Sequence, residues 1–295
     1  MLLSIFTPTY NRAHIINRVF QSLCKQKFTD FEWVVVDDGS TDNTELLLHQ
    51  YKESAPFQIQ YIKQKNGGKH VAYNTALAHI QGEYIFTVDS DDWLPEDSLS
   101  QIKELIDSIE NLSDINICGI IALKENQERC IIGEKFTCEG KILSTVELEH
   151  NGNGGERSIV FSSKVAKKYP FPIIHNEKFM GELVVYDRIA KNHKVIVSNK
   201  ILTTCEYQST GLSSNFYKLM INNPGGFMIF HAQRIDLSIK FIERLNHILR
   251  YNTFKLLFKG MKESIKYSGR YSMLVKVVQP LSHILRYYYL KKSRL

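Results

Sequence analysis

Three aspartates fall within four residues in the segment 87–93, Thr-Val-Asp-Ser-Asp-Asp-Trp, directly after the apolar run 84–86. Adjacent carboxylates repel one another, so a fold that holds them together usually supplies a cation. In an extended segment Asp89 and Asp91 point to the same side, because side chains alternate with a period of two. Two carboxylates placed in this way can hold a divalent hard cation that also contacts a diphosphate. The alternative is an acidic cap for a helix that begins near residue 95.

Strand-like and helix-like patterns alternate through the first hundred residues, and these elements must position the aspartates. Residues 33–36 are continuously apolar, which is typical of a parallel strand covered on both faces. Asp42 with Glu45 three positions later predicts a capping box at a helix start. Repeated alternation predicts right-handed crossovers and an α/β, doubly wound, mostly parallel sheet. The predicted strands are 2–7, 31–36, 59–62 and 84–88, and the predicted helices are 13–26, 42–51 and 70–80.

The polar loops after strands one, two and four lie at the carboxyl ends of parallel strands, where ligands bind in open α/β sheets. Asp37 and Asp38 could accept hydrogen bonds from a base or a ribose, or could simply begin a turn. Arg12 and Lys69 could face phosphates, or could be solvated surface charges. Since the chain has neither GxGxxG nor GxxxxGK[ST], dinucleotide and P-loop sites are disfavoured. The pattern instead indicates a nucleoside diphosphate site, with a divalent cation such as Mn²⁺ or Mg²⁺ that stabilises the leaving diphosphate.

Composition narrows the class of protein. The five cysteines are odd in number and form no CxxC pair, which disfavours a disulfide framework or zinc site and fits a reducing cytosol. Neither a signal peptide nor an apolar run long enough to span a membrane is readable. The net charge of +6 is uneven, because residues 231–295 contain 14 Lys and Arg against 3 Asp and Glu, or +11. The other residues therefore carry 6 − 11 = −5, and the basic tail indicates an anionic partner.

The second half is less regular, and we expect an α+β elaboration followed by helices. We predict a first domain at 1–214, made of a nucleotide-binding half (1–110) and an acceptor half (111–214), and a helical extension at 215–295. Residues 246–295 pair aromatic with basic side chains, as helices on an anionic membrane do. The alternative is a helical appendage packed on the protein or in a homo-oligomer. Within the second half we expect strands at 115–123, 158–161, 194–198 and 201–207, a hairpin arm at 128–132 and a helix at 178–191.

The polar motifs of residues 1–110 are SIFTPTYNR at 4–12, VVDDGSTD at 35–42, NGG at 66–68, Asn74, GEYI at 82–85 and DSDD at 89–92. As a set they resemble family-2 inverting glycosyltransferases, and the second half is similar to bacterial enzymes of capsular and surface polysaccharides. The resemblance implies the GT-A fold, a nucleotide-sugar donor, most often a UDP-sugar, and a glycan or lipid-linked glycan acceptor. Since no fold that binds nucleic acid is readable, we expect no nucleic-acid partner. The unpaired cysteines and the basic tail together predict a cytoplasmic enzyme at the inner face of the cell membrane.

Site roles follow from this resemblance, position by position. Tyr10 would stack on the base, Asp38 would bind the base edge and Asp37 would support it. Asp89 and Asp91 would be the DXD metal pair. The nucleotide-binding set would be Thr7, Pro8, Tyr10, Arg12, Asp37, Asp38, Lys69, Asn74 and Ser90, and the sugar or acceptor set would be Asp92, Gly155 and Glu156. Many relatives have Arg just before the Asn of the third helix, where this chain has Tyr73, so Lys69 would supply that positive charge.

An inverting transferase also needs a general base for the acceptor hydroxyl. Glu182 occupies the place of the family's acidic residue, and Glu177 is the weaker candidate. Asp187 is five residues from Glu182 and points to a different helix face, so we expect it to form a surface pair with Arg188. Two other functions stay open. A sugar-nucleotide nucleotidyltransferase would want a glycine-rich loop after the first strand, and the chain has none there. An inactive glycan-binding scaffold would not need the intact acidic residues.

Overall fold

The computed structural model describes residues 1–112, 116–153, 155–206, 216–258 and 266–293. The chain forms two compact units, of which unit 1 contains Met1–Pro170 with Arg188–Gln208 and unit 2 contains Phe171–Asp187 with Ser209–Leu295. Segment 171–187, which we assigned to the first domain, thus belongs to the unit with the C-terminal helices. The expected boundary at 214/215 lies outside the described residues, as does Gly154.

Unit 1 is built on a mixed sheet whose eight described strands have the order β3-β2-β1-β4-β7-β5-β8-β6. β1, β2, β3 and β4 pair only in parallel with one another, which confirms the doubly wound pattern predicted from the alternation. β7 joins β4 and β5 antiparallel, and β5 pairs parallel with β8. The strands are β1 Leu3–Thr9, β2 Phe31–Asp37, β3 Gln58–Lys63, β4 Tyr84–Thr87, β5 Ile117–Asn126, β6 Ile142–Leu143, β7 Ser158–Ser162 and β8 Lys194–Cys205.

The strand register explains why the polar loops meet. Thr9 pairs with Asp37, and Asp37 pairs with Lys63, so the first three strands end side by side. Trp33 is fully buried in the core beneath this edge, as its continuously apolar strand predicted. Helices α1 to α4 make the connections. The helices of this unit are α1 Asn17–Cys24, α2 Thr44–Ser54, α3 Lys69–His79, α4 Ser98–Leu112, α5 Thr145–His150 and α6 Ser163–Ala166.

Three local predictions are wrong in detail. The capping box at Asp42 does not form: this carboxylate accepts the amide and hydroxyl hydrogens of Thr44, while Glu45 pairs with Lys63. The expected hairpin arm at 128–132 is reduced to one isolated bridge. The two strands expected at 194–198 and 201–207 are a single strand, β8, with register irregularities against β5.

Unit 2 has a helical core of its own. Tyr251, Phe254, Phe258 and Tyr267 are buried there, so most of the aromatic side chains that we assigned to a membrane face instead stabilise the unit. No helix of the described ranges is long and apolar enough to span a bilayer. The remaining helices are α7 Leu183–Ile189, α8 Phe216–Asn222, α9 Pro224–Leu237, α10 Phe241–Leu257, α11 Ser272–Val278, a 3-10 turn Gln279–Leu281 and α12 Ser282–Lys292.

Candidate active site

Two ion pairs connect the loops at the carboxyl ends of the parallel strands. The ammonium of Lys69, which begins α3, lies 2.7 Å from Oδ1 of Asp89. The guanidinium of Arg12, in the loop after β1, lies 3.8 Å from Oδ2 of Asp91. Neither cation is therefore a purely solvated surface charge, which was the alternative that we left open. The loops after β1, β3 and β4 meet at one site on unit 1.

Asp38 attaches the loop after β2 to the same place. Its carboxylate accepts hydrogen bonds from the amides of Gly67 and Gly68, at 2.8 and 2.7 Å, and from the side-chain amide of Gln64 at 2.7 Å. Gly68 has a φ of +94°, which favours glycine at this position. Because Lys69 follows directly, the carboxylate of Asp38 fixes the turn from which the lysine reaches Asp89.

Asp37, the residue before Asp38, is fully buried and holds the loop after β2. Its Oδ1 accepts the amide hydrogen of Ser40 at 2.7 Å, and its Oδ2 accepts the phenol hydrogen of Tyr61 at 2.9 Å. Burial, followed by the hydrogen bond to Asp37, raises the pKa of Tyr61 far above its ordinary value. The phenol therefore remains a donor, and Asp37 is engaged as a structural acceptor.

The third carboxylate of the acidic segment, Asp92, is buried and paired inside the fold. The ammonium of Lys124, on β5, lies 3.0 Å from its Oδ2. The thiol of Cys205 also interacts with Asp92, and burial is the main reason that the pKa of this thiol is raised. The negative charge of Glu156 contributes a smaller part of that increase. Each carboxylate of the segment is therefore paired with a cation: Asp89 with Lys69, Asp91 with Arg12 and Asp92 with Lys124.

These pairings give the three carboxyl groups different pKa values. Burial raises the pKa of Asp89, but the charges of Lys69 and Lys124 outweigh it, so the pKa is below its usual value. Burial and then repulsion by Asp89 raise the pKa of Asp91. Burial raises the pKa of Asp92 to about 6, against the opposing charge of Lys124. At neutral pH the carboxyl groups of Asp89 and Asp92 are therefore predominantly ionised.

The three residues that we expected to line the nucleotide pocket, Thr7, Pro8 and Tyr10, differ in their exposure to solvent. Tyr10 is 48% exposed, so its ring is free to contact a planar ligand. Pro8 is half-buried. Thr7, by contrast, is fully buried, and its hydroxyl accepts the indole hydrogen of Trp33 at 2.9 Å. The prediction that the Thr7 side chain lines the pocket is therefore wrong, because this side chain points into the core. Asn11, at a φ of 54°, binds the amide of Thr41 and joins the first two loops.

The other predicted residues take varied positions. Ser90 is buried within the acidic segment, and Asn74 lies half-buried on α3. Gly155, with a φ of +110°, and Glu156 are exposed just before β7. Their contact with a sugar or an acceptor stays a prediction.

Sequence reasoning missed two residues of this site, Gln64 and Lys124. Gln64 follows β3 directly, so the rule that selected the other loops would have found it if we had applied it to every strand. Lys124 directly follows a run that is apolar from Ile117 to Leu123 apart from one glycine, and a lysine next to a buried run signals a buried acidic partner.

The candidate bases lie in unit 2 and differ in how their carboxylates are engaged. Glu182 is exposed just before α7, with the hydroxyl of Tyr186 at 3.3 Å from its Oε2. Glu177 is buried and accepts the amide hydrogens of Gly225 and Gly226, at 2.7 and 2.8 Å, at the start of α9. Burial raises the pKa of Glu177 in spite of these bonds. Its carboxylate thus caps a helix, which leaves Glu182 as the accessible group.

Asp187 does not form the surface pair that we expected. It is fully buried, and its two oxygens accept hydrogen bonds at 2.5 and 2.6 Å from the guanidinium of Arg234 on α9. Arg188 instead donates to the carbonyl of Pro170. The expectation failed because the partner lies 47 residues further along the chain.

The chemistry of the acidic segment suits a hard divalent cation. Asp89 and Asp91 offer only carboxylate oxygens, which Mg²⁺ and Mn²⁺ prefer. Within the described ranges no group of three or more acidic, histidine or cysteine side chains is assembled around a common point. Two protein carboxylates are enough where the phosphates of a substrate supply further oxygens, since Mg²⁺ is commonly bound in this way.

The comparisons with known proteins agree with this geometry. Residues 4–169 match the domain called glycosyl transferase family 2, and the chain belongs to that family. Poly(ribitol-phosphate) beta-N-acetylglucosaminyltransferase TarS of Staphylococcus aureus is 37% identical over 117 residues, which are 39% of this chain and 20% of the relative. This chain therefore aligns with only about a fifth of that enzyme's length.

A second relative aligns over more of the chain. UDP-Glc:alpha-D-GlcNAc-diphosphoundecaprenol beta-1,3-glucosyltransferase WfgD of Escherichia coli is 28% identical over 222 residues, or 74% of this chain and 81% of the relative. Among solved structures, TarS 1-349 of S. aureus in complex with UDP-GlcNAc superposes with a TM-score of 0.60 at 20% identity, covering 100% of this chain and 90% of that one. A mannosyltransferase of Pyrobaculum calidifontis, solved with GDP-Man and Mn²⁺, gives a TM-score of 0.57 at 17% identity, covering 99% and 85%. These superpositions show the GT-A fold.

Proposed function

We propose that the protein is an inverting glycosyltransferase that moves a sugar from a UDP-sugar to a glycan or lipid-linked glycan acceptor in surface polysaccharide synthesis. The observation that carries this proposal is the meeting of Asp38, Lys69, Asp89 and Asp91 at the carboxyl ends of four parallel strands. The names of the TarS and WfgD relatives, which describe sugar transfer to a polymer and to a lipid diphosphate, support the same class of acceptor.

The nucleotide end of the donor would lie against the loops after β1 and β2. Tyr10 presents an exposed ring on which a base can stack. The carboxylate of Asp38 accepts three hydrogen bonds inside the protein. A carboxylate has about four lone-pair sites, so that of Asp38 would accept one more hydrogen bond, from a base N–H. Arg12 and Lys69 are the cations near the diphosphate, with Asn74 and Ser90 as further polar contacts. A nucleotide would thus meet groups that the fold already orders.

Asp89 and Asp91 would hold Mn²⁺ or Mg²⁺. When bound there, the cation supplies charge that stabilises the nucleoside diphosphate as a leaving group. Lys69 and Arg12 are paired with these two carboxylates, so they would also be the cations near the phosphates of a donor bound there. Asp92, paired with Lys124, keeps the end of the segment in place beside the sugar.

Glu182 would be the general base. Its carboxylate accepts the proton of the acceptor hydroxyl as that oxygen attacks the anomeric carbon, and the bond from this carbon to the diphosphate oxygen breaks on the opposite face. The configuration at the anomeric carbon is therefore inverted. Glu177 and Asp187 are both committed to buried contacts, so neither competes for this role.

A donor screen tests this proposal. The full chain is mixed with UDP-glucose, UDP-N-acetylglucosamine, UDP-galactose or GDP-mannose, with Mn²⁺ and a panel of lipid-linked and soluble glycans, and release of the nucleoside diphosphate is measured. We expect release from one UDP-sugar that requires both acceptor and cation. Release of pyrophosphate from a nucleoside triphosphate and a sugar phosphate would instead indicate a nucleotidyltransferase. Glycan binding without any turnover would indicate a scaffold.

A further inference from the structure

The last helices of unit 2 carry a row of exposed apolar side chains, which we call the outer face. It consists of Met273 and Val277 on α11, Leu281 in the 3-10 turn, and Ile284 and Tyr287 on α12. Each of these side chains is between 59% and 78% exposed. Their spacing of four, four, three and three residues keeps them on one side of a nearly continuous helical segment. Such a row is unusual on the free surface of a soluble protein.

The opposite side of the same segment holds it on unit 2. Val275 and Tyr289 are buried in the helical core, and the side-chain amide of Asn252 donates to the carbonyl of Val275 at 2.7 Å. The segment is thus packed in place by its inner side alone. The side chains of the outer face take no part in this packing. Because they are apolar and exposed to water, we infer that another surface covers them when the protein is at work.

The charge of the segment that carries the outer face favours one kind of partner. Between residues 266 and 293 the sequence has six basic residues and no acidic one. A symmetric pairing of two copies would bring these positive charges together with no carboxylate from this segment to offset them. An anionic lipid surface offers both apolar depth and negative headgroups. The basic residues are Lys266, Arg270, Lys276, Arg286, Lys291 and Lys292.

We propose that the outer face docks on a membrane surface rich in anionic phospholipid. The apolar row enters the boundary between headgroups and acyl chains, and Tyr287 lies at headgroup level, where tyrosine is favoured. Lys276, Lys291 and Lys292 contact the negative headgroups. From the sequence we expected the whole of residues 246–295 to contact the membrane. The proposed surface is smaller, because Tyr251 and Phe254 on α10 are buried in the core of unit 2. It is independent of the catalytic proposal.

Vesicle co-sedimentation of the full chain tests the docking proposal. The vesicles are phosphatidylcholine alone or phosphatidylcholine mixed with phosphatidylglycerol. We expect binding to the anionic vesicles only, and a loss of affinity of at least about tenfold in the double variant V277D/I284D, which places charge in the apolar row. The matched control is L46D, because Leu46 is 58% exposed on α2, which belongs to unit 1. Circular dichroism confirms that each variant is folded.

A second pair of measurements separates lipid from a second copy of the chain. The double variant K291E/K292E should bind anionic vesicles more weakly than wild type, and added salt should weaken the binding of wild type in the same way. Both changes reduce the electrostatic attraction between the lysines and the negative headgroups. Equal binding of wild type and V277D/I284D to anionic vesicles would overturn the proposal. A wild-type dimer in analytical ultracentrifugation that V277D/I284D converts to monomer would also overturn it, because the outer face would then be a protein interface. Transfer to a soluble acceptor should be unchanged in both double variants.

Discussion

The ammonium of Lys69 lies 2.7 Å from Oδ1 of Asp89 and joins the first residue of α3 to the acidic segment after β4. The turn just before this lysine is held by the carboxylate of Asp38, which follows β2. Three loops that are far apart in the sequence are therefore connected through two carboxylates. The ammonium of Lys69 is paired with Asp89, so a divalent cation held by this carboxylate would compete with the lysine for it.

K69M should change metal and nucleotide affinity in opposite directions. Without the lysine, Asp89 is free for a cation, so the affinity for Mn²⁺ alone should increase by about three- to tenfold. The affinity for UDP in the presence of Mn²⁺ should decrease, because a phosphate contact is lost. Isothermal titration calorimetry measures both. K63M is the control, since Lys63 pairs with Glu45 on the exposed surface. A parallel decrease of both affinities would contradict the competition.

D38N should destabilise unit 1. The substitution places an amide group opposite the amide hydrogens of Gly67 and Gly68, and at least one donor loses its acceptor. We expect the free energy of unfolding in urea to fall by about 1–3 kcal/mol. D97N, at an exposed aspartate that accepts from the side chain of Gln101, should have a much smaller effect. If D38N is as stable as wild type, the carboxylate does not hold the turn.

Replacing one partner of the buried ion pair between Asp187 and Arg234 should strongly destabilise the fold. R234M leaves a buried carboxylate without its cation, and we expect a loss of about 3–5 kcal/mol in the free energy of unfolding. The double variant D187L/R234M should recover most of this loss, because no uncompensated charge remains. K240M, at an exposed lysine, serves as the control. Additive effects of the two single substitutions would contradict the pairing.

The histidine pair of unit 2 should make stability depend on pH. His231 and His247 lie with their Nδ1 atoms 2.8 Å apart. Burial, followed by positive neighbours, lowers the pKa of His247 to about 4 and that of His231 well below its ordinary value of 6.5. The unfolded chain therefore binds more protons between pH 6.5 and 4, so stability should fall as the pH decreases through this window, by at most about 1.4 kcal/mol per pH unit for each histidine.

Urea unfolding at several pH values checks this dependence. H247Q should reduce the slope of stability against pH, because it removes one histidine whose pKa is lowered in the folded protein. Identical slopes for wild type and H247Q would show that the pair does not titrate on unfolding.

E182Q should abolish transfer without abolishing donor binding. The amide keeps the shape of the side chain but cannot accept the proton of the acceptor hydroxyl, so we expect kcat to fall by about 10²- to 10⁴-fold. The dissociation constant for UDP should remain close to that of wild type. E177Q is not a neutral control, because it disturbs the start of α9. E149Q is suitable, since Glu149 lies on α5, away from the acidic segment in sequence. Near wild-type turnover of E182Q would remove Glu182 as the base.

The sequence predicted those features that depend on local patterns. The apolar run at 33–36 and the alternation of strands and helices were sufficient to predict that β1 to β4 are parallel. They were also sufficient to predict that the loops after these strands meet at one edge of the sheet. Side-chain partners that lie far along the chain were not predictable in this way. Thr7 was misassigned because its partner Trp33 lies on the neighbouring strand, and Asp187 because Arg234 belongs to another helix. Likewise, the sequence does not show that Asp92 is the acidic partner of Lys124, because the two residues come together only through the order of β4, β7 and β5 in the sheet.

The central claim is that Asp89 and Asp91 hold a divalent cation at the diphosphate of a UDP-sugar. Calorimetric titration of UDP with and without Mn²⁺, on wild type, D91A and the exposed control D97A, tests it most directly. The account predicts that Mn²⁺ strengthens UDP binding by at least about tenfold in wild type and D97A but not in D91A. Binding of UDP that is indifferent to Mn²⁺, with the same affinity in D91A as in wild type, would contradict it.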